Sequence, residues 1–257
     1  MRDLLVDKTA VVTGGASGNG RAISLAYAEQ GCDVVVADIR EDPREGGTPT
    51  HERIESETDA AATFVECDVT DYDSLVAAVA AAEEFGGIDV MVNNAGIFQG
   101  EEFLSDDDST FDRIMDINVR GVYYGSRAAI SEMVDADGGS VVNLSSVAGL
   151  RGSGDFVSYC TSKGAVRLMT YALADRFGPD GVRVNAIHPG LVETTMTTED
   201  VPIVGTEAEE AFQETIPLRR NGQPEDVADI ALFLASDLAD YVTGESVVLD
   251  GGMSNTQ

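Results

Sequence analysis

The sequence predicts an α/β fold, a doubly wound parallel sheet with helices on both faces, in a single domain over 1–257. Two observations carry that expectation. Short runs rich in Val, Ile and Thr alternate with longer amphipathic runs from residue 9 to the C-terminus, and such alternation closes into a parallel sheet through right-handed crossovers. A glycine-rich turn, T-G-G-A-S-G-N-G, stands where the first strand gives way to the first helix.

In chain order the pattern gives a strand at 9–13, a helix over 18–30 and a strand at 33–38 (D-V-V-V-A-D). The segment R-E-D-P-R-E-G-G at 40–47 is polar and turn-rich. It reads equally as a functional loop or a tolerated surface insertion. Thr48 and Pro49 resemble an N-cap followed by proline at the first helical position, opening a helix over 50–61. Strands follow at 63–67, 88–93, 140–144, 183–187 and 246–249, with helices over 71–85, 108–135, 155–177 and 224–235 between them. The segment 193–218 mixes acids, threonines and two prolines without a clean period, and is expected to be a substrate loop.

Composition narrows the function. The chain holds 46 acidic against 16 basic residues, a formal net charge of −30, yet 43% of it is hydrophobic. That supplies a core, so the charge does not signal disorder. Such a surface repels phosphate backbones and anionic lipid, which excludes nucleic acid and membrane as main partners. Only Lys8 and Lys163 are lysines. Scarce lysine with excess acid suggests a salt-adapted, halophilic cytoplasm, because molar salt shortens the screening length to roughly 3 Å. Cys32, Cys67 and Cys160 are few and widely spaced, as expected of reduced thiols. No apolar run approaches the ~18 residues of a spanning helix, and Met1 to Thr13 has no leader pattern. The expected location is cytoplasmic.

The turn from Thr13 to Gly20 suits a dinucleotide. A pyrophosphate needs glycines where Cβ atoms would collide, here Gly14, Gly18 and Gly20, and the free amides of a helix N-terminus. Asp38 closes the second strand, where a carboxylate can accept both adenosine ribose hydroxyls and would repel a 2′-phosphate. NAD is therefore expected over NADP, with Arg40 able to soften the preference. Asp68 could hold the adenine amino group or cap the helix beginning near Asp71.

Together these residues resemble the classical short-chain dehydrogenase/reductase family over nearly the whole chain. Its T-G-x-x-x-G-x-G matches Thr13 to Gly20, its N-N-A-G matches Asn93 to Gly96, its Y-x-x-x-K matches Tyr159 to Lys163, and its P-G matches Pro189-Gly190 with Thr194 at the usual offset. Asn19 departs from the family's usual Ile or Leu, and 40–47 is extended. The resemblance implies a Rossmann-type fold and an oxidoreductase that transfers a hydride between nicotinamide and a secondary alcohol or ketone, sugar or oxoacyl substrate. It implies cofactor contacts at Gly14, Ser17, Gly18, Asn19, Gly20, Asp38, Ile39, Asp68, Val69, Asn94, Ala95, Gly96, Pro189, Gly190, Val192 and Thr194, besides Tyr159 and Lys163.

The implied catalytic set is Asn118, Ser146, Tyr159 and Lys163, with no metal. Tyr159 and Lys163 lie four apart, on one helical face. A phenol titrates near ~10, so a base near neutrality needs a depression of roughly three units. Lys163 and the positive nicotinamide ring are expected to provide it. Ser146, with the adjacent Ser145 as the alternative, fixes the substrate oxygen, and Asn118 positions a water that completes the proton relay. His188 is expected to be structural and His51 solvated. Phe98, Gln99, Val147, Phe156, Leu191 and Met196 are candidates for the substrate wall. The family's habit and the apolar residues of the 155–177 helix imply a homotetramer. A catalytically idle dinucleotide-binding or scaffold protein of the same fold is the alternative, and it predicts erosion of the catalytic residues.

Overall fold

The computed structural model describes residues 4–105 and 108–255; Met1 to Asp3 of the stretch read for a leader lie outside them. Seven strands form one sheet: β1 (Thr9–Thr13), β2 (Asp33–Asp38), β3 (Ala62–Glu66), β4 (Val90–Asn93), β5 (Gly139–Leu144), β6 (Val182–Pro189) and β7 (Ser246–Leu249). All pair in parallel, in the order β3-β2-β1-β4-β5-β6-β7. The order reverses between β1 and β4, and in such sheets ligands bind at the carboxyl ends of the strands flanking that reversal.

The helices are α1 (Gly18–Ala28), α2 (Thr50–Glu57), α3 (Tyr72–Ala80), α4 (Asp108–Met115), α5 (Gly121–Met133), α6 (Val157–Phe177), α7 (Glu207–Thr215) and α8 (Pro224–Ala235). Because strand side chains alternate between faces, neighbours such as Val11 and Val12 feed different cores. Val12 packs with Ile23, Tyr27 and Leu234, and Val11 packs with Leu75, Met91 and Met133. The Tyr27 hydroxyl donates to the Ala231 carbonyl at 3.0 Å, tying α1 to α8 beneath the first core.

Several expected boundaries move. The helix over 50–61 begins at Thr50 with Pro49 as its N-cap and stops at Glu57, where the Thr58 hydroxyl turns back onto the Ile54 carbonyl. The helix over 71–85 tightens into a 3₁₀ turn at Ala81–Phe85 and ends at Gly86, φ +106°. The run over 108–135 breaks into α4 and α5 around a π-turn at Asp116–Arg120. The segment 193–218 contains a second π-turn, Met196–Asp200, and the unexpected α7. Thr206 caps α7 by accepting from the Ala208 amide at 3.3 Å.

Candidate active site

The cofactor end is built around the glycine turn. Gly14 and Gly18 sit at φ +63° and +52°, where a side chain is strained. A Cβ at Gly20 would collide with the Gly14 carbonyl and the Asn94 amide. Asn94 clamps the turn, donating through Nδ2 to the carbonyls of Thr13 and Gly14 at 2.9 and 3.2 Å, and Thr13 Oγ1 accepts the backbone amides of Asn94 and Ala95. A second clamp is absent from any motif. Buried Thr50 donates from Oγ1 to the Gly15 and Ala16 carbonyls and accepts from Arg21 at 2.9 Å. Thr194 lies over Gly18, Val192 bridges to Gly222, and Pro189-Gly190 end β6 against Asp250.

Asp38 stands beside this turn. Its Oδ2 accepts the Ala16 amide at 3.1 Å and its Oδ1 the Arg40 amide at 3.2 Å. Burial raises its pKa against the pull of those amides. Ile39 is exposed, and Val69 is buried beneath Gly121 at the start of α5. Asp68 Oδ1 accepts both the amide and hydroxyl of Thr70, while Asp71 caps α3. Asn19 lines the cavity with its Oδ1 buried and unpartnered. A buried acceptor without a donor calls for one. Together with the glycine cradle it fits a dinucleotide.

The segment 40–47 folds over the same turn. The Arg44 amide donates to Ser17 Oγ at 2.8 Å and the Gly18 amide to Glu45 Oε1 at 3.1 Å. The Arg44 guanidinium grips Asp200 bidentately at 2.7 and 2.8 Å, with Glu199 at 3.5 Å. It therefore joins 40–47 to the π-turn of 193–218. His51 is not solvated as expected. It is half-buried beside Phe64, with Nε2 3.5 Å from Glu41.

At the chemical end, Ser146, Tyr159 and Lys163 line a cavity of about 650 Å³. The Ser146 hydroxyl lies against the Tyr159 phenol and favours its ionised form. Lys163 is buried, its Nζ donating to the Leu144 carbonyl at 2.9 Å and standing 5.7 Å from the Tyr159 ring centre. The expected depression of the phenol does not arise from the protein alone. Burial pushes Tyr159 up to about 12 and pulls Lys163 down to about 8, because leaving water disfavours each charged form.

Asn118 is fully buried on the π-turn. Its Oδ1 accepts the Ile97 amide at 2.8 Å and its Nδ2 donates to the Ile97 carbonyl and Ser162 Oγ at 2.9 and 3.2 Å. Both amide donors are engaged and Oδ1 accepts once, so the side chain holds Ile97 in place. A Cβ at Gly96 would come 3.2 Å from Asn118 Oδ1, so the amide would have to give by a few tenths of an ångström to admit one. His188 is structural. Its Nδ1 faces the Ser146 carbonyl at 2.8 Å and its Nε2 Ser246 Oγ at 2.9 Å. Arg167 Nε can only donate to Tyr171 Oη, so donation runs Arg167 to Tyr171 to Ser246 to His188 to Ser146, and the proton sits on Nδ1. Glu101, another residue without a motif, caps α6 by accepting the Ser158 amide at 2.6 Å and its hydroxyl.

Residues 14–254 match the family model described as enoyl-(acyl carrier protein) reductase. The chain belongs to the short-chain dehydrogenase/reductase family. It is 38% identical to a trans-4-hydroxycyclohexanecarboxylate dehydrogenase of Sinomonas cyclohexanicum, over 97% of this chain and 94% of that one. It is 40% identical to a 3-alpha-(or 20-beta)-hydroxysteroid dehydrogenase of Mycobacterium tuberculosis, over 98% and 91%. A short-chain type dehydrogenase/reductase from Mycobacterium marinum superposes with a TM-score of 0.89 at 34% identity, over 99% and 98%. The chain is thus an NAD(P)-dependent oxidoreductase of this family. No helix among the described residues is long and apolar enough to cross a membrane, and no group of three or more His, Cys, Asp or Glu among them could hold a metal.

Proposed function

We propose that the protein oxidises secondary alcohols, or reduces the matching ketones, on carbocyclic or similarly apolar frames, with NAD preferred over NADP. The observation that carries this is the convergence of Ser146, Tyr159 and Lys163 in one cavity whose wall includes Phe98, Phe156, Leu191, Met196, Ile203 and Phe212. Two relatives named for ring alcohols point the same way. Tyr159 moves the hydroxyl proton, Ser146 fixes the oxygen and Lys163 holds the nicotinamide ribose. Asn118 keeps Ile97 in place and positions the water that completes the proton relay from Lys163. The nicotinamide, when bound, supplies or takes the hydride, and its oxidised ring adds positive charge beside the phenol. The glycine turn, Asn19, Asp38, Asp68 and the backbone of Ile39, Val69, Asn94 to Gly96 and Pro189 to Thr194 hold the dinucleotide.

The NAD preference rests on the Asp38 carboxylate where a 2′-phosphate would sit. Arg44 is committed to Asp200 and Glu199, so it offers that phosphate no partner. A screen of cyclic alcohols, polyols, aldoses and hydroxyacyl thioesters with both cofactors in molar KCl tests the proposal. Turnover of ring alcohols with kcat/KM favouring NAD is expected, and preference for NADP would overturn the role of Asp38. Tight NADH binding without turnover of any alcohol would favour the idle alternative.

We also infer a single cytoplasmic, salt-adapted domain assembling as a homotetramer. Support comes from the net charge of −30 and from Leu168 on α6, Phe111 on α4 and Tyr123 on α5, which remain exposed. Light scattering that finds a monomer in molar KCl would overturn the assembly.

A further inference from the structure

Although 46 of the 257 residues are Asp or Glu, none of the 30 described residues lining the active-site cavity is either. Two cations line it, Lys163 and Arg151. Lys163 is engaged with the Leu144 carbonyl. Arg151 lies in the loop between β5 and α6, on the half of the sheet away from the glycine turn after β1. That loop is fastened beside Tyr159, since the Arg151 amide donates to the Val147 carbonyl at 2.9 Å and the Ser153 amide to Cys160 Sγ at 3.3 Å. The guanidinium reaches the tail after β7, with Nη1 3.5 Å from the Met253 carbonyl. It forms no ion pair among the described residues.

The next residue of that tail supplies an independent observation. Ser254 Oγ lines the cavity, buried and without a hydrogen-bond partner. Asp250 is already taken, accepting the Ser254 and Gly252 amides at 2.7 and 2.9 Å. An exposed guanidinium with no carboxylate partner and a buried hydroxyl with no partner at all therefore lie at the same edge of a cavity that no Asp or Glu lines, and the hydroxyl calls for a partner. The dinucleotide's anionic pyrophosphate belongs at the glycine turn, on the other half of the sheet.

We propose that Arg151 and Ser254 form an anion subsite for a carboxylate carried on the substrate, so that the preferred substrates are carboxylated secondary alcohols on a compact apolar frame. This rests on the function proposed above and names its substrate class. One guanidinium suits a monoanionic carboxylate, whereas a dianion would face the field of a chain with thirty net negative charges.

The experiment compares 3- and 4-hydroxycyclohexanecarboxylates with their neutral carboxamides. Wild type should prefer the acids, and Arg151→Ala should lower the acid-to-amide ratio of kcat/KM about 10- to 100-fold, with a smaller fall for Ser254→Ala and partial recovery for Arg151→Lys. An unchanged ratio in Arg151→Ala would overturn the proposal. A second measurement needs no turnover. Cyclohexanecarboxylate should raise the Tm of the NADH complex more than cyclohexanecarboxamide does, and Arg151→Ala should erase the difference. If no alcohol is turned over but this difference appears, the subsite stands and the proposed reaction falls. If the two probes act alike on wild type, the subsite is wrong whatever the enzyme oxidises.

Discussion

Ser146, Tyr159 and Lys163 are fixed by buried or half-buried, mostly uncharged partners, whereas the segments 40–47 and 193–218 at the cofactor side of the same cleft are joined by exposed charges. Ser146 is oriented through His188, Ser246 and Tyr171, and Lys163 through a backbone carbonyl. Arg44 meets Asp200 and Glu199 with all three side chains partly in water. Buried hydrogen bonds are hard to replace by water and insensitive to salt, while exposed ion pairs contribute about 0–1 kcal/mol and are screened. The cleft thus combines a rigid chemical floor with a cover whose attachment salt can tune.

The sharpest way to break the floor is Tyr159→Phe. The ring packs against Phe98, centre to centre at 4.6 Å, so the fold should survive while the transferable proton disappears. kcat should fall 10²–10⁴-fold with NADH binding retained. Wild-type kcat on any accepted substrate would refute the assignment of Tyr159.

Lys163→Met separates the floor's chemistry from its stability. Burial lowers the ammonium from 10.5 in the unfolded chain to about 8 in the folded one. A folded pKa below the unfolded value means that the charged form is penalised on folding. That penalty is fully present below about 8 and is relieved as pH rises toward 10.5. It is on the order of 3 kcal/mol at neutrality. The variant removes it but leaves the Leu144 carbonyl unpaired, so a net gain of about 1–2 kcal/mol is expected at pH 7. The gain should shrink above pH 8 while activity is lost. Tm measured against pH for both proteins decides it, and a wild type more stable than the variant at pH 7 would sink the argument.

The sequence made the floor legible and the cover obscure, for physical reasons. The glycine turn and the Tyr159 to Lys163 spacing are local, because one turn or one helix face determines them. Thr50 and Glu101 act on the Ala16 carbonyl and Ser158 amide across 34 and 57 positions, and no period marks such a partner. The π-turn at Asp116–Arg120 keeps helical composition while breaking helical hydrogen bonding, so periodicity reads straight through it. In α7, acids dominate E-A-E-E-A-F-Q-E-T, and its cavity-facing stripe of Ala208, Ala211, Phe212 and Thr215 holds a single large apolar side chain, too weak a pattern to register. The raised phenol of the free protein is not readable in the same way, because the Tyr159 to Lys163 spacing is local whereas desolvation depends on everything packed around the site.

Arg44→Ala is the smallest effect and the one that tests the cover. Removing the guanidinium unpairs Asp200 and Glu199, but both retain water, so stability should change by no more than about 1 kcal/mol. The kinetic consequence should be clearer. With 40–47 released from the π-turn, the cover over Gly18 opens more often, and NADH should dissociate a few-fold faster at about 0.1 M KCl, where the screening length is roughly 10 Å. At about 3 M KCl that length is under ~3 Å, the wild-type pair is itself weakened, and the two proteins should converge. Stopped-flow displacement of NADH at both salt concentrations measures this. A dissociation rate unchanged by the substitution at low salt would mean that the ion pair spans the two segments without holding the cover closed.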